Sequence, residues 1–218
     1  MALMTDHRVP PVRFDSLTGF VLAGGASRRM GRSKADLRLE GATMVERQIR
    51  LLRSVARRVV VVGGSPGSLN DFNVLRIPDA LGGRGPLAGL YTALLESRTE
   101  FNLILGCDLP FVNRCLLGFV AVRAFAAGCD VTVPRSQDGR MQPLCAVYHR
   151  RILYAVRTSL ESGENKFRSF FPRVCWKAIA WPELADAGFR PSMFSNMNTP
   201  EDYERARIRY EIAGAGHA

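Results

Sequence analysis

TGFVLAGG, residues 18–25, is a short apolar run that stops on Ala23-Gly24-Gly25, the pattern of a buried strand running into a loop. Residues 59–62 are four consecutive valines ended by Gly63-Gly64-Ser65-Pro66, which reads as a second strand covered on both faces, as parallel sheets require. Between them Thr43-Met44-Val45-Glu46 matches a capping box, in which the Thr hydroxyl and the Glu carboxylate each satisfy an orphan amide of the first helical turn. Val45, Ile49, Leu52 and Val55 then recur at helical spacing with Arg47, Arg50 and Arg53 facing away, giving a surface helix with one buried face. Strand, helix and strand are complete by residue 63.

The rhythm continues with an expected strand at 74–77, a helix at 86–97, a strong strand at 101–106, a helix at 113–127 and a strand at 131–133. Beyond Arg135 it loosens into a strand at 144–148, a helix at 152–160, a strand at 175–180 and a last helix with Pro200 at its first position. Such alternation predicts an α/β, Rossmann-like three-layer fold with a mostly parallel sheet, right-handed crossovers and ligands at the carboxyl ends of the strands. With 218 residues, 47% of them hydrophobic and 23% charged, the chain suits one domain. We expect a flexible extension over 1–17, the domain over 18–212 and a frayed tail over 213–218.

Thirty Lys plus Arg against twenty Asp plus Glu leave a net charge of +10, which calls for an anionic partner: nucleic acid, a membrane surface or phosphorylated small molecules. The arginines come as scattered pairs, Arg28-Arg29, Arg57-Arg58 and Arg150-Arg151, which speaks against a nucleic-acid tail. The five cysteines, Cys107, Cys115, Cys129, Cys145 and Cys175, are widely spaced with no C-x-x-C pair, so we expect buried thiols in a reducing compartment. The first sixteen residues hold charges and prolines but no apolar run, so neither a signal peptide nor a membrane span is expected, and the expected location is the cytoplasm.

The stretch richest in chemistry is residues 22–34, LAGGASRRMGRSK, because a glycine-rich loop after a first strand presents amides to an anion while Arg28, Arg29 and Lys34 supply charge. It is neither a Walker A loop nor G-x-G-x-x-G, and two glycines in themselves serve a plain turn equally well. Asp108 stands where FNLILGC runs out; by position it suits Mg²⁺, which takes one or two carboxylates and fills its shell with water and phosphates, or the capping of a turn. Asp79 precedes the glycine-rich segment LGGRGPLAG, where a ligand could approach the backbone closely, though turn chemistry explains it as well. Asn196 and Asn198 precede the final helix and could orient a ligand or cap the helix. No G-x-S-x-G or Cys-His context supports a covalent nucleophile. The chemistry most compatible with these residues is phosphate handling.

Taken in order, LAGGASRRMGRSK, PDALGGRGPLAGL, GCDLPF, QPLCAVY and FSNMNTPED resemble the MobA-type molybdenum cofactor guanylyltransferases, over residues 20–202. The opening element marks the wider nucleotidyltransferase superfamily; G-P-L-A-G, C-D-x-P-F and N-x-N-T-P-E-D together favour the MobA branch. The resemblance implies a nucleotide-diphospho-sugar-transferase-like fold that binds GTP and Mg²⁺ and transfers GMP to the terminal phosphate of Mo-molybdopterin, releasing pyrophosphate. Carried over, Leu22, Ala23, Gly24 and Gly25 would line the guanine and phosphate site and Lys34 would contact phosphate. Asp79 would help hold the nucleotide, Asp108 would coordinate Mg²⁺, and Asn196 and Asn198 would lie toward the pterin. Such enzymes often carry an Asn at the end of the strand where this chain has Gly63-Gly64.

In-line phosphoryl transfer needs positioning and charge stabilisation and no covalent intermediate. Asp108, Lys34 and Arg29 are the expected catalytic residues. The expected partners are GTP and Mo-molybdopterin, with molybdopterin-supplying proteins and acceptor molybdoenzymes beyond them, and with no nucleic acid or membrane. A monomer or weak oligomer is expected. The alternatives are a molybdopterin cytidylyltransferase, another nucleotidyltransferase acting on a phosphorylated small molecule, and a non-catalytic basic binding protein.

Overall fold

The apolar runs send alternate residues to opposite faces of one sheet. The computed structural model describes residues 13–24, 34–64, 72–82 and 84–215. In chain order its elements are β1 (Phe14–Leu22), β2 (Arg38–Leu39), β3 (Ala42–Thr43), α1 (Met44–Arg53), β4 (Ala56–Val62), β5 (Leu75–Ile77), α2 (Pro86–Glu96), β6 (Phe101–Gly106), α3 (Arg114–Ala127), β7 (Val131–Pro134), β8 (Cys145–His149), α4 (Leu153–Glu161), β9 (Trp176–Ile179), α5 (Trp181–Asp186) and α6 (Pro200–Ala215). Leu17 and Val21 of β1, Val59 and Val61 of β4, and Leu103 and Leu105 of β6 pack with Ile49, Leu52, Leu116 and Val120 of α1 and α3. Phe20, Leu22, Val60, Val62 and Ile104 face the other way, onto Leu87, Leu90 and Leu94 of α2 and Val156 and Leu160 of α4. Period-two alternation in the strands thus builds two cores and three layers. Each valine of the 59–62 run so buried contributes about 1.5–3 kcal/mol.

The seven-stranded sheet has the order β5-β4-β1-β6-β8-β7-β9. β1 lies parallel between β4 and β6, and Leu22 pairs with both Val62 and Gly106, so three strands end at one level. β8 runs antiparallel to β6 and β7, while β7 and β9 are parallel. The antiparallel strand arises because β7 returns as β8 through a hairpin closed by the Arg135–Met141 bridge and by Gln142 N–H donating to the Pro134 carbonyl at 2.9 Å.

The capping box at α1 is formed as the sequence indicates: Glu46 N–H donates to Thr43 Oγ1 and Thr43 N–H to Glu46 Oε2. Other elements differ from expectation. β1 starts at Phe14, ahead of the expected boundary at residue 18, and α6 continues to Ala215, past the boundary at 212. Ring stacking of Tyr210 on Phe111 at 5.6 Å and the hydrogen bond from the Tyr210 hydroxyl to the Pro110 carbonyl pin α6 to the body. Arg47 does not simply face solvent, because its guanidinium lies over the Tyr210 ring at 4.3 Å. Ahead of α1 the chain forms a 3-10 turn, Lys34–Asp36, and the short ladder of β2 and β3 around Glu40-Gly41. α5 was absent from the sequence reading, and its signals are Pro182 and Glu183 in the first turn.

Only Cys107 and Cys145 are buried; Cys115 and Cys129 are half-buried and Cys175 is exposed. The expectation of five buried thiols is therefore corrected: Cys129 and Cys175 occupy loops at strand starts, where no core forms.

Candidate active site

The ends of β1, β4 and β6 meet where their backbones must approach closely. Ala23 N–H donates to the Val62 carbonyl at 2.9 Å. Gly63 and Gly64 then take φ of +76° and +77°, a conformation glycine adopts without the Cβ penalty of other residues. A Cβ on Gly63 would lie 3.1 Å from the Gly24 backbone, and one on Gly64 3.2 Å from Ala23 Cβ. An asparagine here would strain the backbone and crowd the end of β1. The glycine pair is anchored by Arg76 of β5, whose Nε donates to the Gly63 carbonyl at 2.9 Å and whose Nη2 donates to the Gly64 carbonyl.

Asp108 follows β6 and is half-buried. Its Oδ1 folds back over the strand, where a Cβ on Gly106 would sit only 2.6 Å away. Glycine at 106 is what lets this carboxylate take its place. The Asp108 carbonyl accepts from Met197 N–H at 2.8 Å, tying the N-x-N segment to the same spot. Met197 is buried while Asn196 and Asn198 on either side are exposed. Asn198 and Thr199 N–H both donate to Asp202 Oδ2, at 2.9 and 3.0 Å, and Asp202 N–H donates back to Thr199 Oγ1. These bonds, the Asn198 amide first and Arg205 next, hold the Asp202 carboxyl down at about 2.

Asp36, in the turn that begins with Lys34, has its Oδ1 buried without a hydrogen-bond partner among the described residues. Burial, followed by the negative charges of Asp108 and Asp36, pushes the Cys107 thiol far above its ordinary range, so both carboxylates act on one neighbourhood. Hard oxygen donors of this kind suit Mg²⁺, which needs only one or two carboxylates and dehydrates reluctantly. Among the described residues no group of three His, Cys, Asp or Glu side chains stands ready to hold a metal without further ligands.

Asp79 sits beyond β5 and is held by Leu81, in the turn before α2, and by Thr92, within α2. Its Oδ1 accepts from Leu81 N–H at 3.1 Å and from Thr92 Oγ1 at 3.2 Å, while Thr92 Oγ1 accepts from Ala80 N–H at 3.0 Å. α2 can come this near because Gly89 lies against Leu22, where a Cβ would be 3.3 Å from Leu22 Cδ1. Asn196 also borders a cleft formed with Phe111, Asp202, Arg205 and Arg209, and the Arg209 guanidinium stacks 4.9 Å from the Phe111 ring centroid.

The structure thus gathers Leu22, Ala23, Gly24 and Asp108 at one end of the central strands, with Asp79 tethered to α2 beyond β5 and the N-x-N segment bonded to Asp108. Lys34 is the first residue of the turn that carries Asp36. Gly25 and Arg29 lie outside the described residues. Sequence reasoning missed Asp36, Arg76, Thr92 and Gly106. A polar Thr92 within the apolar helix A-G-L-Y-T-A-L-L and a glycine closing the apolar strand FNLILG were the available signals for two of them.

A family profile described as MobA-like NTP transferase domain matches residues 19–176. A "probable molybdenum cofactor guanylyltransferase" of Pelotomaculum thermopropionicum is 33% identical over 199 residues, covering 91% of this chain and 96% of the relative. The molybdenum cofactor guanylyltransferase of Desulfosudis oleivorans is 32% identical and covers 88% and 95%. Among solved structures, molybdopterin-guanine dinucleotide biosynthesis protein A from Archaeoglobus fulgidus superposes with a TM-score of 0.77 at 24% identity, covering 89% of this chain and 99% of that one. This last likeness establishes the α/β fold.

Proposed function

The chain belongs to the MobA-like NTP transferase family and is a nucleotidyltransferase, and on that premise we propose that it transfers GMP from GTP to the terminal phosphate of Mo-molybdopterin, releasing pyrophosphate. The observation that carries the proposal is Asp108 at the carboxyl end of β6, its Oδ1 set over Gly106 and beside the glycine-lined ends of β1 and β4. That is where open α/β sheets bind their ligands. The names of relatives that share about a third of their residues over most of the chain supply the guanylyl group and the molybdenum cofactor as its acceptor.

In this mechanism the backbone of Leu22, Ala23, Gly24 and Gly25 receives the nucleotide, and Lys34 and Arg29 take up charge on the phosphates. Asp79, fixed by Thr92, holds the nucleotide from the α2 side. Asn196 and Asn198 orient the acceptor, with Arg205 and Arg209 supplying cationic charge across the adjoining cleft. The acceptor phosphate oxygen attacks the α-phosphorus in line, and pyrophosphate leaves with its charge offset by Lys34 and Arg29. Asp108, with Asp36 near it, would hold Mg²⁺, which when bound offsets the charge on the phosphates. The enzyme so described is cytoplasmic, monomeric or weakly oligomeric, and hands its product to molybdoenzymes. Among the described residues no helix is long and apolar enough to cross a membrane.

The test is pyrophosphate release from GTP, CTP, ATP and UTP by the purified chain with Mo-molybdopterin, with and without Mg²⁺. GTP-selective, Mg²⁺-dependent release supports the proposal. Preference for CTP moves the assignment to cytidylyl transfer, and no release from any nucleotide rejects it.

A further inference from the structure

At the opposite end of the sheet, Cys129 and Cys175, 46 residues apart in sequence, bring their Sγ atoms to 2.7 Å. The approach is enforced by the backbone. Asp130 and Val131 N–H both donate to the Cys175 carbonyl, at 2.8 and 3.1 Å, while Cys175 N–H donates to Asp130 Oδ2 at 2.8 Å. Asp130 is itself held by Arg151. Joining the two sulfurs at the disulfide bond length of about 2.05 Å asks for a shift of less than an ångström. Cys175 is exposed and Cys129 half-buried, so a small oxidant can reach them. The neighbouring Cys175 thiol, then burial, raise the pKa of the Cys129 thiol, with Lys177 opposing them, so the enforced proximity of the sulfurs, and not a lowered pKa, is what favours closure.

We propose that Cys129 and Cys175 form a reversible disulfide that clips edge strand β9 to β7. The oxidant is a low-molecular-weight disulfide, RSSR. One protein thiolate attacks it, forming a mixed disulfide and releasing RS⁻; the second protein thiolate then attacks the protein sulfur of that adduct and releases the second RS⁻. Two protein thiols are oxidised by two electrons in all, and RSSR is reduced to two RSH. In a reducing cytosol the pair rests as a dithiol, and it closes when the disulfide pool rises. Cys107, Cys115 and Cys145 take no part. The clip joins the starts of β7 and β9, away from the ends of β1, β4 and β6, so it holds whether or not the proposed transfer reaction does.

The test is incubation of the full-length protein with oxidised glutathione under native conditions. The expected result is a fall from five titratable thiols to three in the denatured protein, a single cross-linked peptide containing Cys129 and Cys175, and a Tm rise of about 5–10 °C that dithiothreitol reverses. Cys129→Ser and Cys175→Ser should each abolish the cross-link and the Tm rise, and Cys115→Ser should leave both intact. Five thiols remaining, stable glutathione adducts on Cys129 or Cys175 in the wild type, cross-links through another cysteine, or a cross-link without a Tm rise would each overturn the proposal.

Discussion

Where β6 begins beside the middle of β1, polar side chains satisfy one another. Thr18 and Thr99 share a hydrogen bond of 2.8 Å. Asn102, fully buried, pairs its amide oxygen with the Ser97 hydroxyl and donates through Nδ2 to the Tyr148 and Glu100 carbonyls at 3.2 and 3.3 Å. Past the other ends of the strands the carboxylates are set differently: Asp108 lies over Gly106 after β6, Asp36 has a buried Oδ1 with no hydrogen-bond partner among the described residues, and Asp79 after β5 accepts from Thr92. The first arrangement closes a network and serves stability. The second sets Asp108 and Asp36 about Cys107 and, in the proposed function, gives up stability for a place where a cation and phosphates bind.

The difference is broken most severely at Asp108. Asp108→Asn should lower nucleotidyl transfer by about 10²-fold or more, the usual cost of losing one electrostatic contact in the transition state, with little change in Tm; undiminished Mg²⁺-dependent turnover would contradict the role. Asn102→Ala should do the reverse, costing about 2–4 kcal/mol in urea denaturation because buried partners lose their hydrogen bonds, while kcat stays near wild type. Gly106→Ala should sit between, losing about 1–3 kcal/mol through overpacking and, by displacing the Asp108 carboxylate, at least tenfold in kcat.

A subtler change sharpens the contrast. Thr92→Val keeps the shape but removes the hydroxyl that fixes Asp79 and caps Ala80 N–H, so KM for the nucleotide should rise about 3–10-fold with kcat little altered. The smallest effect should come from Asp202. Its carboxyl is held down at about 2 in the fold against an ordinary 3.8, so its contribution is fully present above about pH 4 and is lost as pH falls toward 2. Acid titration of Asp202→Asn should show a flatter loss of stability across that window than wild type, and identical slopes would remove the carboxylate from the account.

The half of the molecule built from β5, β4, β1 and β6 was legible because four-residue apolar runs, a capping box and glycine punctuation are local signals. Its strand at Phe101–Gly106 was read to the residue. The half built from β8, β7 and β9 was read as strands but not as an antiparallel return, since strand direction is set by long-range pairing and leaves no mark on composition. The site shows the same division. Asp108 and Asp79 stand just past strand ends, and that position was legible from the apolar runs before them. Asp36, Thr92 and Arg76 matter through what lies across the fold from them, and the meaning of Gly63-Gly64 emerged only with the Gly24 backbone 3.1 Å from where a side chain would begin. The cysteines misled for a related reason: spacing reported no motif, yet β7 and β9 pair in parallel and bring Cys129 to Cys175.

The most direct test of the central claim, that the finishing ends of the strands form a metal-assisted nucleotidyl-transfer site, is a crystal of the protein soaked with Mn²⁺ and a non-hydrolysable GTP analogue and measured at the manganese absorption edge. The expected result is an anomalous peak at ligand distance from an Asp108 carboxylate oxygen, with the triphosphate lying against the ends of β1 and β4. A nucleotide bound elsewhere, or a manganese peak remote from Asp108 beside a bound triphosphate, would contradict it.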